Sequence, residues 1–90
     1  MSEFSREVRI ENRRGLHARA SAKFVTVASG LAAEIEVAKD GNAVCGTSIM
    51  GLMMLGAAKG DTVRISARGD AAEEALEQLV QLVEDRFGED

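Results

Sequence analysis

The sequence predicts a two-layer α+β fold in the order β-α-β-β-α-β-α, in which strands bury one face beneath the helices. Three observations support this prediction. Short segments alternate apolar and polar residues, other segments repeat apolar residues at helical spacing, and glycine-containing turns separate the two kinds. A chain of 90 residues has material for one core only, so we expect a single domain over residues 1–90.

The first strand and the first helix come from the N-terminal third of the chain. Phe4, Val8 and Ile10 lie on one face of a predicted half-buried strand, with charged residues opposite. Residues 12–15, Asn-Arg-Arg-Gly, have the chemistry of a turn. An alanine-rich stretch then predicts a helix over 17–29 that ends at Gly30. Its predicted apolar face, at helical spacing, consists of Ala18, Ser21, Ala22, Val25 and Ala28.

A β-hairpin is predicted after this helix. Residues 33–37 alternate as a second strand, Asp40 and Gly41 form a strong signal for a tight hairpin turn, and residues 43–46 return as the third strand. Cys45, the only cysteine, lies in the third strand. It cannot form a disulfide within the chain, and a small buried apolar residue is the favoured interpretation.

A short apolar helix follows the hairpin. Thr47 or Ser48 can cap it, because a side-chain oxygen at that position accepts a hydrogen bond from an otherwise unpaired backbone N–H group. The helix contains more apolar residues than one buried face can hold, so we expect Leu52 and Leu55 to be buried and others to be exposed. The predicted partner-contact residues are Ile49, Met50 and Met53, since flexible methionines suit a surface that accepts several proteins.

The last strand and the last helix complete the order. Residues 63–67 alternate as a fourth strand, and Asp70 with Glu73 has the spacing of a capping box at the start of a helix. This helix is predicted to end at Gly88 and to cover the sheet. Its apolar stripe consists of Leu76, Leu79, Val80, Val83 and Phe87.

Charge is distributed unevenly along the chain, whose net charge is -4. Residues 1–30 carry six basic residues and three glutamates, whereas residues 70–90 carry eight acids and one arginine. The basic residues that could attract an anion to the only histidine, His17, are Arg13, Arg14, Arg19 and Lys23. On an acidic chain with three aromatic residues, these make a poor nucleic-acid surface.

The chain has no features of a membrane protein or a metalloprotein. No apolar run approaches the roughly 18 residues of a membrane span. The start, MSEFSREVRI, lacks the basic and then apolar pattern of a signal peptide, so we expect a cytoplasmic location without membrane insertion. No cysteine and histidine cluster has the spacing of metal ligands, and no cofactor is expected.

The heptad GLHARAS at residues 15–21 places His17 after a glycine turn and at the start of a helix. Backbone N–H groups are unpaired there and the helix dipole is positive, so an anion is favoured. An unprotonated ring nitrogen can attack phosphorus, and the N–H groups of Ala18 and Arg19 and the Arg19 guanidinium can then bind the phosphoryl group. The local pattern alone, however, favours a surface or capping histidine over a reactive one. Since no second catalytic group accompanies His17, any reaction needs a partner protein.

Two segments resemble the HPr phosphocarriers of the phosphoenolpyruvate-dependent phosphotransferase system, in particular their proteobacterial form. Residues 12–25, NRRGLHARASAKFV, are similar to the active-site signature Gly-Leu-His-x-Arg-Pro-Ala/Ser. Residues 46–56, GTSIMGLMMLG, are similar to the regulatory-serine region. The resemblance implies a two-layer open-faced β-sandwich, with a four-stranded antiparallel sheet covered on one face by three helices.

The resemblance also implies roles for the matching residues. His17 would accept a phosphoryl group on Nδ1 from Enzyme I, which takes it from phosphoenolpyruvate, and would pass it to an EIIA-type acceptor. Arg19 would act as the phosphate clamp. Ser48 would be the regulatory site for HPr kinase/phosphorylase, although from the residues alone a helix cap is the favoured interpretation of Ser48. A monomer is expected.

Departures from the family pattern leave the partners open. Ala20 stands where the family has proline, and Thr26 and Ser29 stand where many relatives carry lysine. A regulatory relay of the nitrogen or carbon type therefore fits as well as a sugar-transport relay. The alternative function is a non-catalytic regulatory module that binds a protein through the patch around Ser48. A small ligand-binding domain is a third possibility, for which the sequence offers no pocket.

Overall fold

The strands and helices follow the predicted order in the computed structural model, which describes residues 3–89. The elements are β1 (Glu3–Arg9), α1 (Ala18–Ser29), β2 (Glu34–Lys39), β3 (Asn42–Cys45), α2 (Ile49–Met54), β4 (Thr62–Arg68) and α3 (Ala72–Glu84). A tight turn at Arg86–Gly88 follows α3. The predicted β-α-β-β-α-β-α order is confirmed.

The four strands form one antiparallel sheet in the order β1-β4-β2-β3. Alternate residues of β4 are buried, namely Val63, Ile65 and Ala67, and β2 buries Ile35 and Val37 in the same way. The three helices cover this apolar face, with α3 packed against β1 and β4. The result is the open-faced two-layer arrangement that the resemblance implied.

The hairpin turn and the first strand agree with the alternation of the sequence. Asp40 and Gly41 join β2 to β3, and both have positive φ, 52° and 86°, as a two-residue hairpin turn requires. In the first strand segment, Val8 and Ile10 are buried, while Phe4, near the start of β1, is 36% exposed. The predicted buried face is therefore confirmed for Val8 and Ile10, but it is wrong for Phe4, which is exposed.

The predicted apolar face of α1 is partly wrong. Ser21 and Ala28 are buried, but Ala18 is exposed and Ala22 and Val25 are only half-buried. The helix instead turns Ala20, Phe24 and Ala28 toward the core, each four residues after the last. Phe24 has the largest apolar side chain of α1, so its burial removes more apolar area from water than burial of Val25 would.

Both ends of α3 differ from the prediction. The helix is capped at Ala71 with no side-chain hydrogen bond, so the predicted capping box of Asp70 and Glu73 is wrong. The start lies one residue later than that motif requires, which leaves Glu73 in the first turn, where its charge suits the helix dipole. The predicted apolar stripe is buried through Phe87, but the helix itself ends at Glu84.

Cys45 is exposed, contrary to the prediction of a buried residue. It lies on β3, an edge strand, where Val44 takes the half-buried side and Cys45 the opposite one. Its Sγ is 3.0 Å from the Thr47 hydroxyl oxygen. Hydrogen bonds with the Thr47 side chain and backbone hold the pKa of the Cys45 thiol below its ordinary value, against a small opposing effect of burial and of Glu34.

Candidate functional site

A glycine turn fixes the position of His17 at the start of α1. Gly15 has φ of 65°, a left-handed conformation, and a Cβ there would collide with the Ala57 carbonyl and lie 2.8 Å from Ala58 Cα. The buried Leu16 donates its backbone N–H to the Ala57 oxygen at 2.9 Å. The turn that carries His17 is thus attached to the loop that follows α2.

His17 is the N-cap residue of α1, and both of its ring nitrogens have hydrogen-bond partners. Nδ1 accepts the backbone N–H of Arg19 at 3.3 Å, and Nε2 lies 2.9 Å from Oε2 of Glu89. A backbone N–H can only donate and an ionised carboxylate can only accept. In the neutral ring, these contacts assign the proton to Nε2 and leave Nδ1 unprotonated.

Glu89 reaches the ring from the other end of the chain, and Asn12 holds it there. The fully buried Asn12 donates its Nδ2 to Oε1 of Glu89 at 3.1 Å and to the Gly15 carbonyl at 2.8 Å. Burial acts to raise the pKa of Glu89, but hydrogen bonds from Asn12 and His17 outweigh it, together with the positive charges of a protonated His17 ring and of Arg19. The pKa therefore lies below its ordinary value of 4.5, and Glu89 is ionised at neutral pH.

A basic cleft of about 390 Å³ opens beside this cluster. Its lining consists of Arg14, Arg19, Lys23, Phe87, Gly88 and Glu89. Lys23 also donates its Nζ to the Phe87 carbonyl at 2.9 Å. Of the four basic residues predicted to attract an anion, three therefore line the cleft, while Arg13 is exposed outside it. Together with the positive end of α1, these side chains favour an anion next to His17.

The groups predicted to bind phosphate lie at the N-terminus of α1, next to the His17 ring. Ala18 and Arg19 are the first two residues of α1, so their N–H groups point out of the open end of the helix. The Arg19 N–H is bonded to Nδ1, and the Arg19 side chain is exposed at the cleft. Sequence reasoning missed Asn12 as a site residue and missed Glu89 altogether, because nothing in the local pattern of either indicates a contact 72 or 77 residues away.

Ser48 marks a second feature, at the start of α2. Its Oγ accepts the Gly51 N–H at 3.0 Å, so Ser48 and not Thr47 is the cap. The exposed apolar side chains of α2 form a patch, which we call the α2 patch: Ile49 (40% exposed), Met50 (70%), Met53 (41%) and Met54 (81%). Leu52 and Leu55 are buried as predicted, and Met54 is the exposed residue that the sequence reasoning did not name.

Residues 3–89 contain no group of three or more His, Cys, Asp or Glu side chains that could hold a metal ion. Within the same range, no helix is both long enough and apolar enough to cross a membrane.

The chain is similar to proteins of one family along almost its whole length. Residues 4–85 match the profile of the family described as the PTS HPr component phosphorylation site. Phosphocarrier protein HPr of Cupriavidus necator is 42% identical over 84 residues, which covers 93% of this chain and 94% of that protein. The HPr of Neisseria meningitidis is 46% identical over 82 residues, or 91% and 92% of the two chains.

Solved structures agree with these sequence similarities. A crystal structure of HPr-C-His from Thermoanaerobacter tengcongensis has a TM-score of 0.89 and 47% identity, and the match covers 100% of this chain and 99% of that one. A structure described as an HPr dimer from the same organism has a TM-score of 0.77 and 49% identity, covering 91% and 94%. The similarity therefore extends to the order and pairing of the strands.

Proposed function

This chain belongs to the HPr phosphocarrier family of the phosphotransferase system, and we propose from that premise that it carries a phosphoryl group on Nδ1 of His17. The observation that supports the proposal most strongly is the unprotonated Nδ1 at the open N-terminus of α1, beside a cleft lined by three basic side chains. A nucleophile, an anion site and access for a partner thus occur together.

The transfer step needs no general base. The Nδ1 lone pair attacks phosphorus while the bond to the donor breaks, and its electron pair stays with the donor. The Arg19 N–H, now 3.3 Å from Nδ1, can turn to a phosphoryl oxygen together with the N–H of Ala18. The Arg19 guanidinium can add a charge-assisted hydrogen bond as the phosphate clamp. The same residues hold the group until an acceptor removes it.

The donor in this proposal is phospho-Enzyme I, charged from phosphoenolpyruvate, and the acceptor is an EIIA-type protein. Both would dock on the α2 patch, where Ile49, Met50 and Met53 offer flexible apolar contacts to more than one partner. α2 packs against α1, so a protein on the patch lies next to the helix that His17 begins. The proposal places the chain in the cytoplasm as a monomer, and leaves sugar transport and a regulatory relay as alternative destinations of the phosphoryl group.

Regulation at Ser48 is the second part of the proposal. Phosphorylation of the Ser48 hydroxyl by HPr kinase/phosphorylase would add about -1.5 to -2 charges at the N-terminus of α2, which the helix dipole tolerates. The phosphate oxygens can still accept the Gly51 N–H that Ser48 now binds. Phosphorylation would instead weaken the docking of partner proteins, because the new charge adjoins the apolar side chains of Ile49 and Met50 on which they would dock.

Mass spectrometry after incubation with phosphoenolpyruvate and Enzyme I tests the proposal. We expect one acid-labile phosphate on His17 in the wild-type protein and none in His17→Ala, while Ser48→Ala is labelled as well as wild type. A related HPr serves as the positive control for the donor. If that control is labelled and His17 is not, the proposal is wrong.

The alternative is a regulatory module that binds a protein through the α2 patch without carrying phosphoryl groups on His17. The four exposed apolar side chains of α2 favour a docking role whatever His17 does. Labelling confined to Ser48, in the presence of ATP and the kinase, would favour this alternative.

A further inference from the structure

Glu89 binds the ring nitrogen of His17 that the proposed transfer does not use. The contact between Nε2 and Oε2 is 2.9 Å, and both side chains are largely buried, with 19% of His17 and 16% of Glu89 exposed. Among the residues that line the basic cleft, Glu89 is the acidic one, facing Arg14, Arg19 and Lys23. A carboxylate repels anions, so its presence beside a cleft that attracts them calls for a structural or functional explanation.

Only a carboxylate satisfies the two donors that meet at this position. Asn12 cannot turn its amide around, because its Nδ2 already donates to the Gly15 carbonyl, and a flipped amide would bring two acceptor oxygens together. Asn12 must therefore present a donor to Glu89, as His17 does with Nε2. A glutamine at position 89 could accept from one of the two donors and would turn its own NH₂ group toward the other.

An unusual backbone turn brings Glu89 to the ring. Arg86, Phe87 and Gly88 all have left-handed conformations, with φ of 59°, 56° and 75°. This conformation is unfavourable for Arg86 and Phe87, and burial of the Phe87 side chain, 1% exposed, holds the turn in place. Lys23 also donates to the Phe87 carbonyl. Packing of Phe87 therefore fixes the turn at Arg86–Gly88, and this turn places the Glu89 carboxylate next to Nε2, on the opposite side of the ring from Nδ1.

We propose that Glu89 is a positioning residue for phosphoryl transfer, which holds the proton on Nε2 and so keeps Nδ1 as the nucleophile. This inference rests on the proposed function. When Nδ1 takes up a phosphoryl group, the ring becomes a cation with its proton still on Nε2, and the Glu89 carboxylate stabilises it. When the group leaves for an acceptor, the bond between Nδ1 and phosphorus breaks and its electron pair returns to Nδ1. The neutral ring with Nε2–H is restored, and no proton is exchanged with solvent.

The role of Asn12 follows from the same geometry. It binds Oε1 of Glu89 and so directs Oε2 at the ring. The Glu89 carboxylate can then act on His17 with its orientation already set, in the way that a buried carboxylate orients a catalytic histidine in hydrolases.

Glu89→Gln, Glu89→Ala and a control, Glu84→Gln, test this inference. The control removes one exposed carboxylate at the end of α3, from a residue that neither lines the cleft nor is a hydrogen-bond partner of the ring. We expect phosphoryl transfer from Enzyme I to His17 to slow about tenfold in both Glu89 variants, as expected for loss of one charge-assisted hydrogen bond. The KM for Enzyme I should not change, and Glu84→Gln should match wild type.

Nitrogen-15 NMR of the His17 ring provides a readout that a purely structural role would not move. In wild type, the neutral ring should have its proton on Nε2, and the Nδ1–H tautomer should become detectable in Glu89→Ala. Thermal unfolding of each variant shows whether it is folded. If the folded Glu89 variants transfer at the wild-type rate with the wild-type tautomer, the inference is wrong. If wild type itself is not labelled by Enzyme I, the proposed function fails instead, and the NMR measurement still decides whether Glu89 sets the tautomer.

Discussion

The N-termini of α1 and α2 have the same local construction in different surroundings. His17 caps α1 by accepting the Arg19 N–H at 3.3 Å, and Ser48 caps α2 by accepting the Gly51 N–H at 3.0 Å. The side chain at the first cap is held by a carboxylate from the end of the chain, beside a basic cleft. The second cap is bonded to Gly51, three residues further on, and adjoins the α2 patch. The two caps therefore share one kind of local contact and differ in what surrounds them, which is why the proposed function gives them different roles.

Among substitutions near the two caps, Gly15→Ala is expected to have the largest effect on stability, because it disturbs the turn before the first cap. The substitution forces alanine into φ of 65° and puts its Cβ into the Ala57 carbonyl. We expect the free energy of unfolding in urea to fall by about 2 kcal/mol or more.

Gly56→Ala is the matched control for that substitution. Gly56 has the same φ of 65°, but a Cβ there meets nothing within 4 Å. We expect Gly56→Ala to lower the free energy of unfolding by about 1 kcal/mol, because only the backbone conformation becomes less favourable. Equal losses in the two variants would show that the contact between the His17 turn and Ala57 is not important for stability.

A smaller effect is expected at the second cap. Ser48→Ala removes the acceptor for the Gly51 N–H, and we expect it to lower the free energy of unfolding by about 1 kcal/mol in urea. Ser48→Asp keeps an acceptor there, and its charge suits the helix dipole, so it should stay near the wild-type stability. A Ser48→Asp protein as unstable as Ser48→Ala would contradict this account of the cap.

The smallest expected effect is a pH dependence of stability, which arises at the first cap because Glu89 contacts His17. The pKa of Glu89 is lower in the folded protein than its ordinary 4.5, so its contribution to stability is fully present above that value. The contribution is lost as the pH falls through the lowered pKa. Unfolding measured from pH 6 down to pH 3 should therefore show wild type and Glu89→Gln converging in acid. If the difference in the free energy of unfolding between wild type and Glu89→Gln grew as the pH fell, the pKa of Glu89 would be raised in the folded protein and not lowered.

Local features of the structure could be predicted from the sequence. The turn at Gly15, the hairpin at Asp40 and Gly41, and a cap at Thr47 or Ser48 all depend on residues within a few positions of each other. Alternation likewise identified the buried face of β4, because a strand places every second side chain on the same side. These parts were predictable since their causes lie in the local chain.

Contacts between distant segments were not predictable in this way. Glu89 meets His17 and Asn12 only because Arg86 and Phe87 adopt conformations that their residue types rarely take, and which the burial of Phe87 stabilises. The exposure of Cys45 depends in a similar way on how β3 pairs at the edge of the sheet, which turns Val44 and not Cys45 toward the half-buried side. Neither has a signature in the neighbouring residues.

The exposed thiol of Cys45 has a practical consequence for studying the two helix ends separately. It is the only cysteine of the chain, and its lowered pKa increases the fraction present as thiolate at neutral pH. A fluorophore attached there would stand three residues before Ser48 and outside the lining of the cleft at His17. A single-site reporter is thus built into the natural sequence, and its emission can follow docking on α2 while phosphoryl transfer is measured independently.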